Sequence, residues 1–222
     1  MGKFNALVTG ASRGIGAAIT MKMRNVGINV LTPSRKQLDL SSNESIDQFL
    51  RTTDLPIDIL VNNAGINLIA PGSEVSDQNI EDTIQVNLVA PIRLIRGIVP
   101  HMIQKRYGRI VNISSIWSLV SKPGRITYSA SKAGLNGVTR TLAVELASYN
   151  ILVNSVAPGY TNTELTEINN TKDQIEEIKK LIPLGRLAEP EEIAEVVYFL
   201  CSEANTYITG QVIFADGGLL CQ

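Results

Sequence analysis

Short apolar runs alternate with segments of helical periodicity along most of this chain. The first run, residues 6–8, is followed by apolar residues three and four positions apart, at Ile15, Ile19, Met23 and Val26. That spacing predicts a helix with one buried face. Further runs lie at residues 57–61, 109–113, 151–156 and 211–214, each before a turn of small or polar residues. Apolar strands that alternate with helices predict an α/β fold, a doubly wound parallel sheet with helices on both faces.

One long segment has no strand pattern. Residues 161–188 begin with many Thr and Asn residues and continue with apolar side chains at helical spacing, at Ile175, Ile178 and Ile182. Ligands of doubly wound sheets bind beyond the carboxyl ends of the strands, and this segment follows such an end. We therefore predict that residues 161–188 form a lid within a single domain spanning residues 1–222.

Charge and composition narrow the choice of partners. The 222 residues include 20 Lys and Arg against 21 Asp and Glu, which argues against nucleic acid and membrane partners and favours a small molecule. The first residues lack a signal-peptide core, and no apolar run approaches the ~18 residues of a membrane span. We expect a cytoplasmic protein. Cys201 and Cys221 form no CxxC pair and lie beside no histidine, so we expect no metal site.

A glycine-rich turn follows the first strand. Its glycines precede the first predicted helix, where free backbone N–H groups and the positive helix end favour a pyrophosphate. The alternative is a tight turn that merely needs glycine. The candidate cofactor residues here are Gly10, Ser12, Arg13, Gly14, Ile15 and Gly16.

The segment after the second strand lacks the acidic residue that binds the ribose of NAD. It reads Leu-Thr-Pro-Ser-Arg at residues 31–35. Arg35 and Arg13, with Ser34 nearby, can instead hold a 2′-phosphate. This favours NADP (NADPH) as the cofactor and leaves NAD as the alternative. Two solvated surface arginines would explain the same residues without a phosphate.

Tyr128 and Lys132 lie one helical turn apart on a helix with a buried apolar face. A tyrosine of pKa ~10 is a poor proton donor and acceptor at neutral pH, and lowering its pKa by three units requires about 4 kcal/mol. One ammonium at ~4 Å and an effective dielectric of ~20 supplies about that energy. We therefore predict that Lys132 lowers the pKa of Tyr128.

A proline interrupts another predicted helix, residues 77–104. Pro91 follows Asn87 by four residues, so the carbonyl of Asn87 loses its helical partner and the helix should kink. A freed carbonyl can hold a water, although an ordinary packing kink explains the pattern equally well. The only histidine, His101, fits a surface or packing role.

Taken together, these motifs resemble those of the short-chain dehydrogenase/reductase family, which has a Rossmann-type fold. The resemblance covers nearly the whole chain and depends on the order and spacing of seven motifs. They are TGASRGIG at residues 9–16, LDLSS at 38–42, NNAG at 62–65, QVNL at 85–88, NISS at 112–115, YSASK at 128–132 and PGYTNT at 158–163.

The resemblance implies a role for each matching residue. Ser115 would hydrogen-bond the substrate carbonyl, Tyr128 would give it a proton, and Lys132 would hold the ribose hydroxyls. Asn87 would complete a water-mediated proton relay. The resemblance also implies that the cofactor contacts Asp39 and Leu40 at the adenine, and further along Asn63, Ala64, Gly65, Tyr128, Lys132, Pro158, Gly159, Thr161 and Thr163.

One departure from the family is large. Only three residues separate Arg35 from Asp39, whereas a parallel crossover needs about a dozen or more. The family's usual helix and strand are therefore missing, and the sheet is shortened between its second strand and the family's fourth. We expect a more open adenine pocket and a weaker grip on a 2′-phosphate.

Within the family, the chain is most similar to bacterial 3-oxoacyl-carrier-protein reductases. This likeness implies a reductase of 3-oxoacyl thioesters that forms a homo-oligomer, a tetramer or dimer. Arg106 matches a carrier-docking arginine of that group, but the second docking position is Tyr149, and Trp117 places a bulky ring near the substrate. A sugar or other small hydroxy-ketone is the alternative substrate. A cofactor-sensing regulator is the alternative outside enzymes, although such proteins usually lose the catalytic Tyr or Lys.

Overall fold

Six parallel strands form one sheet in the computed structural model, which describes residues 4–222. Their order across the sheet is β2-β1-β3-β4-β5-β6, which confirms the predicted doubly wound parallel sheet. The strands are β1 (Asn5–Val8), β2 (Asn29–Leu31), β3 (Ile59–Asn62), β4 (Gly108–Ile113), β5 (Ile151–Pro158) and β6 (Val212–Ala215).

Helices cover both faces of this sheet. They are α1 (Gly14–Asn25), α2 (Asn43–Thr52), α3 (Asp77–Ile84), α4 (Ala90–Lys105), α5 (Ile126–Leu146), α6 (Glu164–Asn169), α7 (Lys172–Leu181) and α8 (Pro190–Cys201). Side chains alternate across each strand, so Ala6 and Val8 pack with α1 and α8 while Leu7 packs with α2, α4 and α5. Each face therefore has its own apolar core.

The predicted shortening lies at one edge of the sheet. After β2, residues 32–42 contain turns but neither a helix nor a strand, and Ser42 then caps α2 by accepting a hydrogen bond from the Ser45 N–H. Leu38 is buried beneath these turns. The three-residue strand β2 is consequently the edge of the sheet.

A π-helical turn precedes Pro91 in the helical segment that was predicted over residues 77–104. Residues Gln85–Val89 form this turn between α3 and α4, and the Ala90 N–H reaches back five residues to the Gln85 carbonyl. The irregularity lies where Pro91 was predicted to disturb the helix, because proline offers no N–H to the carbonyl four residues earlier.

The rod formed by α3, the π turn and α4 meets the length and hydropathy of a membrane span. It covers Asp77–Lys105, 29 residues whose most apolar 18-residue window has a mean hydropathy of 1.3 and is 39% buried within the protein. The rod is not an uninterrupted apolar run, because Asn87, Arg93 and Arg96 lie within it. Helices that cover a sheet pass the same test, and Leu94, Ile98 and Met102 of α4 are buried in the core.

A chain of buried polar side chains fixes α5 to the sheet. Asn62 at the end of β3 donates to the Asn112 side chain on β4 at 2.8 Å, and Asn112 donates to the Thr139 hydroxyl on α5 at 2.8 Å. The Thr139 hydroxyl also lies 2.8 Å from that of Ser155 on β5. Buried polar groups require such partners, so this chain fixes the position of α5 relative to three strands.

The two ends of the predicted lid, residues 161–188, lie next to each other. Thr161 and Ala188 form an isolated parallel bridge, and the Ala188 N–H donates to the Tyr160 carbonyl at 2.9 Å. Between them, α7 buries Ile178, whereas no residue of α6 is buried. The two helices therefore differ in how firmly they are attached.

Candidate active site

A cleft of about 360 Å³ opens beyond the carboxyl ends of the strands. Its walls come from the turn after β1, the turn after β3, the end of β4, the start of α5 and the segment after β5. The predicted residues that line it are Gly10, Ser12, Arg13, Gly14, Ile15, Gly16, Asn63, Ala64, Gly65, Ser115, Tyr128, Lys132, Pro158, Gly159, Thr161 and Thr163.

The glycine turn leaves no room for side chains. Gly10 has a φ of +65°, and a Cβ there would lie 2.9 Å from the Cα of Ala64. A Cβ on Gly16 would lie 2.2 Å from the Gly10 carbonyl oxygen. Arg13 precedes α1 without a side-chain cap, and the first turn holds no acid, so its N–H groups are available to an anion. The turn therefore fits the pyrophosphate of a dinucleotide.

Hydrogen bonds join this turn to the opposite wall. The Thr9 hydroxyl accepts from the backbone N–H groups of Asn63 and Ala64, at 3.0 and 3.1 Å. The Asn63 side chain donates back to the carbonyls of Thr9 and Gly10, at 2.9 and 3.1 Å. The two loops therefore form one rigid floor for the cleft.

Ser115, Tyr128 and Lys132 meet above this floor. Ser115 follows β4, and its hydroxyl accepts a hydrogen bond from the Trp117 N–H at 3.3 Å. Tyr128 and Lys132 lie on α5, with the Lys132 ammonium 5.7 Å from the centre of the Tyr128 ring. The Lys132 ammonium is buried and donates to the Ile113 carbonyl at 2.7 Å. The three side chains are thus grouped as the motifs predict.

Opposing effects act on the pKa of Tyr128. Burial raises this pKa, while a hydrogen bond with Ser115 and the positive charge of Arg125 act to lower it. The Lys132 ammonium, 5.7 Å from the Tyr128 ring centre, donates its hydrogen bond to the Ile113 carbonyl. Burial in turn lowers the pKa of Lys132 to about 8. That Lys132 lowers the pKa of Tyr128 stays a prediction.

Asn87 lies behind the cleft and does not line it. Its side-chain oxygen accepts from the Ile66 N–H at 2.9 Å, and its amide donates to the Ile66 carbonyl at 2.8 Å and the Ser131 hydroxyl at 3.1 Å. A Cβ on Gly65 would lie 3.2 Å from the Asn87 oxygen and 3.4 Å from the Lys132 nitrogen. A glycine is therefore needed between Asn87 and the cleft.

The predicted adenine-side residues also lie outside the cleft lining. The Arg35 side chain is 82% exposed and its Nε lies 3.4 Å from the Asp39 carboxylate. A hydrogen bond with Ser41 is the main cause of a lowered pKa of Asp39. Ser34 hydrogen-bonds Gln37 at 2.9 Å, and the Leu40 carbonyl accepts from Gln85 at 3.1 Å. This group forms the open edge left by the shortened crossover.

Arg13, the other arginine predicted to hold a 2′-phosphate, is also paired with a carboxylate. Arg13 forms an ion pair and a hydrogen bond with Glu164 on α6. Neither predicted phosphate-binding arginine is therefore simply solvated, because each lies against one carboxylate. A phosphate would have to compete with that carboxylate or join it.

The structure adds lining residues that the motifs did not indicate. Arg125 and Tyr160 join Trp117 at one end of the cleft, and α6 contributes a row of side chains along its rim. The Trp117 and Tyr160 rings meet edge to face with centres 5.9 Å apart. Arg125 could have been found from the sequence, because it lies three residues before Tyr128 at the start of the same helix. The α6 residues are Glu164, Leu165, Thr166 and Asn169.

We predict a pH-dependent stability contribution from Lys132. Its folded pKa of about 8 lies below the ~10.4 of an unfolded lysine. Between these values the unfolded chain binds more protons, so the free energy of unfolding rises with pH. Relative to Lys132→Met, the wild type should gain about 2–3 kcal/mol between pH 7.5 and 10. Urea unfolding of both proteins at several pH values measures this gain.

The exposed Lys172 provides the control for that measurement. Lys172→Met should follow the wild type at every pH, because Lys172 is exposed on α7. A difference between wild type and Lys132→Met that stays constant from pH 7.5 to 10 would show that Lys132 keeps its ordinary pKa.

Sequence relatives of the chain are reductases. A family model described as enoyl-(acyl carrier protein) reductase matches residues 34–220. The 3-oxoacyl-[acyl-carrier-protein] reductase FabG of Aquifex aeolicus (strain VF5) is 40% identical over 239 residues, which cover 96% of each protein. FabG of Thermotoga maritima is 40% identical over 238 residues, again 96% of each. These alignments are longer than the 222 residues of the chain, because the relatives carry residues that it lacks.

Solved structures match it over its full length. A gluconate 5-dehydrogenase from Burkholderia cenocepacia J2315, in complex with NADP and tartrate, is 26% identical with a TM-score of 0.88, covering 100% of this chain and 97% of that one. A provisionally assigned NAD(P)-dependent gluconate 5-dehydrogenase from Beutenbergia cavernae with bound NADP is 34% identical with a TM-score of 0.94, covering 100% and 98%. Motifs, fold and relatives together show that this chain belongs to the short-chain dehydrogenase/reductase family of oxidoreductases.

Proposed function

We propose that this chain is an NADP(H)-dependent oxidoreductase that transfers a hydride between nicotinamide and a carbonyl or secondary alcohol. One observation carries the proposal. Ser115, Tyr128 and Lys132 face the same cleft as the glycine turn before α1, so a proton donor and a dinucleotide site share one cavity. The relatives compared above are enzymes, which favours catalysis over a cofactor-sensing role.

In this proposal each side chain has a separate task. Ser115 donates a hydrogen bond to the substrate oxygen and Tyr128 gives that oxygen its proton in the reductive direction. Lys132 holds the ribose hydroxyls from its position beside the ring of Tyr128. NADPH, when bound, supplies the hydride.

Residues around the cleft would hold the cofactor along its length. The first turn of α1 receives the pyrophosphate, Arg13 and Arg35 the 2′-phosphate, and Asp39 the adenine. Thr161 and Thr163 lie where the nicotinamide amide would be held. Support for NADP comes from the structural relatives that contain it and from the missing acid after β2. Asn87 is proposed to support a proton relay through the backbone of Ile66, which it fixes.

Two substrate classes have separate support. A 3-oxoacyl thioester is favoured by the relatives of 40% identity. A sugar or other small hydroxy-ketone is favoured by the Trp117–Tyr160 pair, which narrows one end of the cleft. The carrier-docking position also supports the smaller substrate, because Arg106 donates to the Ser148 carbonyl at 2.8 Å and lies 6.0 Å from the Tyr149 ring centre.

Three wider proposals complete this picture. The chain acts as a single domain, with residues 161–188 as its lid. It works as a homo-oligomer, a dimer or tetramer, which is supported by exposed apolar side chains on α5, Val144 at 83% and Ile126 at 57% exposure. It acts in the cytoplasm on a small molecule, without a nucleic-acid or membrane partner.

Replacing the proton donor should abolish turnover. Tyr128→Phe keeps the ring and removes only the hydroxyl, so we expect at least a ~10²-fold loss of turnover with NADPH binding nearly unchanged. Tyr207→Phe is the matched control, because Tyr207 is 95% exposed and should keep full activity. Steady-state assays and fluorescence titration of NADPH provide the readouts. More than a tenth of wild-type turnover in Tyr128→Phe would refute the mechanism.

The preference for NADPH over NADH should depend on Arg13 and Arg35. We expect NADPH to bind at least ~10-fold more tightly than NADH, since charged hydrogen bonds contribute about 1.5–3 kcal/mol. Arg35→Gln should weaken the binding of NADPH and leave that of NADH unchanged. Arg51 is an exposed arginine on α2, so Arg51→Gln should change the affinity for neither cofactor. Titration of both cofactors decides the matter. Equal affinities in the wild type would mean that the shortened crossover has removed the phosphate grip.

The lid should become ordered when cofactor binds. No residue of α6 is buried, and its Glu164 reaches across the cleft to Arg13. Weakly packed segments exchange amide hydrogens quickly, so residues 161–172 should exchange fast alone and slowly with saturating NADPH. Exchange in α7 should change less, because Ile178 anchors it. Identical exchange of residues 161–172 with and without NADPH would count against a lid.

A further inference from the structure

The Arg125 guanidinium is buried beside Tyr128, and no hydrogen-bond partner for it lies among the described residues. Arg125 precedes α5, lines the cleft and is only 4% exposed. Within residues 4–222, its Nε and Nη1 atoms are buried and make no hydrogen bond. The described part of the chain gives it no ion pair either.

A second buried arginine shows how this fold satisfies such a group. Arg109 is also 4% exposed. Its guanidinium donates to the carbonyls of Gly108, Asn150 and Asn205 at 2.9–3.2 Å and lies 4.5 Å from the centre of the Tyr107 ring. Arg109 therefore has a structural role that its contacts explain. Arg125 has no comparable set of acceptors.

An unpaired buried guanidinium is expensive. It remains charged at neutral pH, and burying a charge without partners strongly destabilises the folded protein. Burial lowers the pKa of Arg125, opposed only by the phenols of Tyr160 and Tyr128. Such a cost is offset when a ligand brings the missing negative charge.

The surroundings of Arg125 are positive and aromatic. The Lys122 ammonium lies 5.7 Å from the ring centres of both Trp117 and Tyr160. Lys132 also lines the cleft, where its ammonium donates to the Ile113 carbonyl. Glu164 is the acidic side chain among the described residues that line the cleft, and it pairs with Arg13 on the opposite wall. Arg125 therefore lines the cleft together with two aromatic rings and has a second cation, Lys122, nearby, which are surroundings that suit a small anion.

We propose that Arg125 binds a carboxylate of the substrate, so that this chain interconverts small oxo acids and hydroxy acids. The planar guanidinium offers two parallel N–H groups to a carboxylate. Its place three residues before Tyr128 holds that carboxylate near the proton donor. The inference rests on the proposed function and selects the second substrate class. A carrier-linked thioester has no carboxylate at this point of the molecule.

Binding tests the proposal without turnover. Calorimetric titration of the NADPH-saturated protein uses tartrate and gluconate as acid probes and sorbitol as the neutral counterpart of gluconate. We expect the acids to bind wild type more tightly than sorbitol, and Arg125→Gln to weaken the acids at least ~10-fold while leaving sorbitol unchanged. Arg140→Gln, an exposed arginine on the same helix, should behave as wild type.

Several results would overturn the proposal. One is a wild type that does not prefer the acids to sorbitol, and another is an Arg125→Gln variant that keeps the acids' affinity or loses all probes equally. Misfolding is tested by the melting temperature of Arg125→Gln, which should not fall, because the change removes a buried unpaired charge.

Steady-state kinetics distinguish carboxylate binding by Arg125 from an effect of Arg125 on the pKa of Tyr128. Arg125 helps to lower the pKa of that phenol, so its loss can slow turnover of every substrate. The test therefore compares hydroxy acids with their methyl esters. The variant should lose at least ~10-fold more kcat/KM for the acid than for the ester. An equal loss would contradict carboxylate binding, whereas failure of the proposed function itself would appear as an active Tyr128→Phe.

Discussion

The buried amide of Asn87 joins the elements on which the cleft depends. It makes two hydrogen bonds to the backbone of Ile66 and one to the Ser131 hydroxyl. Ser131 in turn donates to the Tyr128 carbonyl at 2.7 Å. One amide thus connects the long helical rod, the loop after β3 and the turn of α5 that carries Tyr128. The π turn beside Pro91 places the amide at this junction.

The positive charge of the cleft follows from this framework. Lys132 is held by its hydrogen bond to the Ile113 carbonyl, and burial lowers its pKa. Arg125 is buried just as deeply, and its Nε and Nη1 atoms find no acceptor within residues 4–222. A cleft whose cations are fixed before a ligand arrives needs little reorganisation to bind an anion. The same fixed charges favour a negative oxygen on the reacting substrate.

Features that depend on neighbouring residues were predictable from the sequence, whereas contacts between residues far apart in the sequence were not. The strands, the glycine turn and the missing crossover were predicted from short motifs, because each depends on neighbouring residues. The Arg13–Glu164 pair joins positions 151 residues apart, and no motif announces it. Likewise the direction of the Lys132 ammonium depends on the Ile113 carbonyl. The burial that raises the pKa of Tyr128 also depends on residues that are distant in the sequence.

If Asn87 positions Tyr128, the proposed proton donor, then single-turnover hydride transfer should be slower in Asn87→Ala. The rate is followed by the loss of NADPH absorbance with a saturating carbonyl substrate. Small displacements of reacting groups can cost ~10²-fold in rate, so the account predicts a fall of about that size while NADPH affinity stays near the wild-type value. A transfer rate equal to that of the wild type would contradict it.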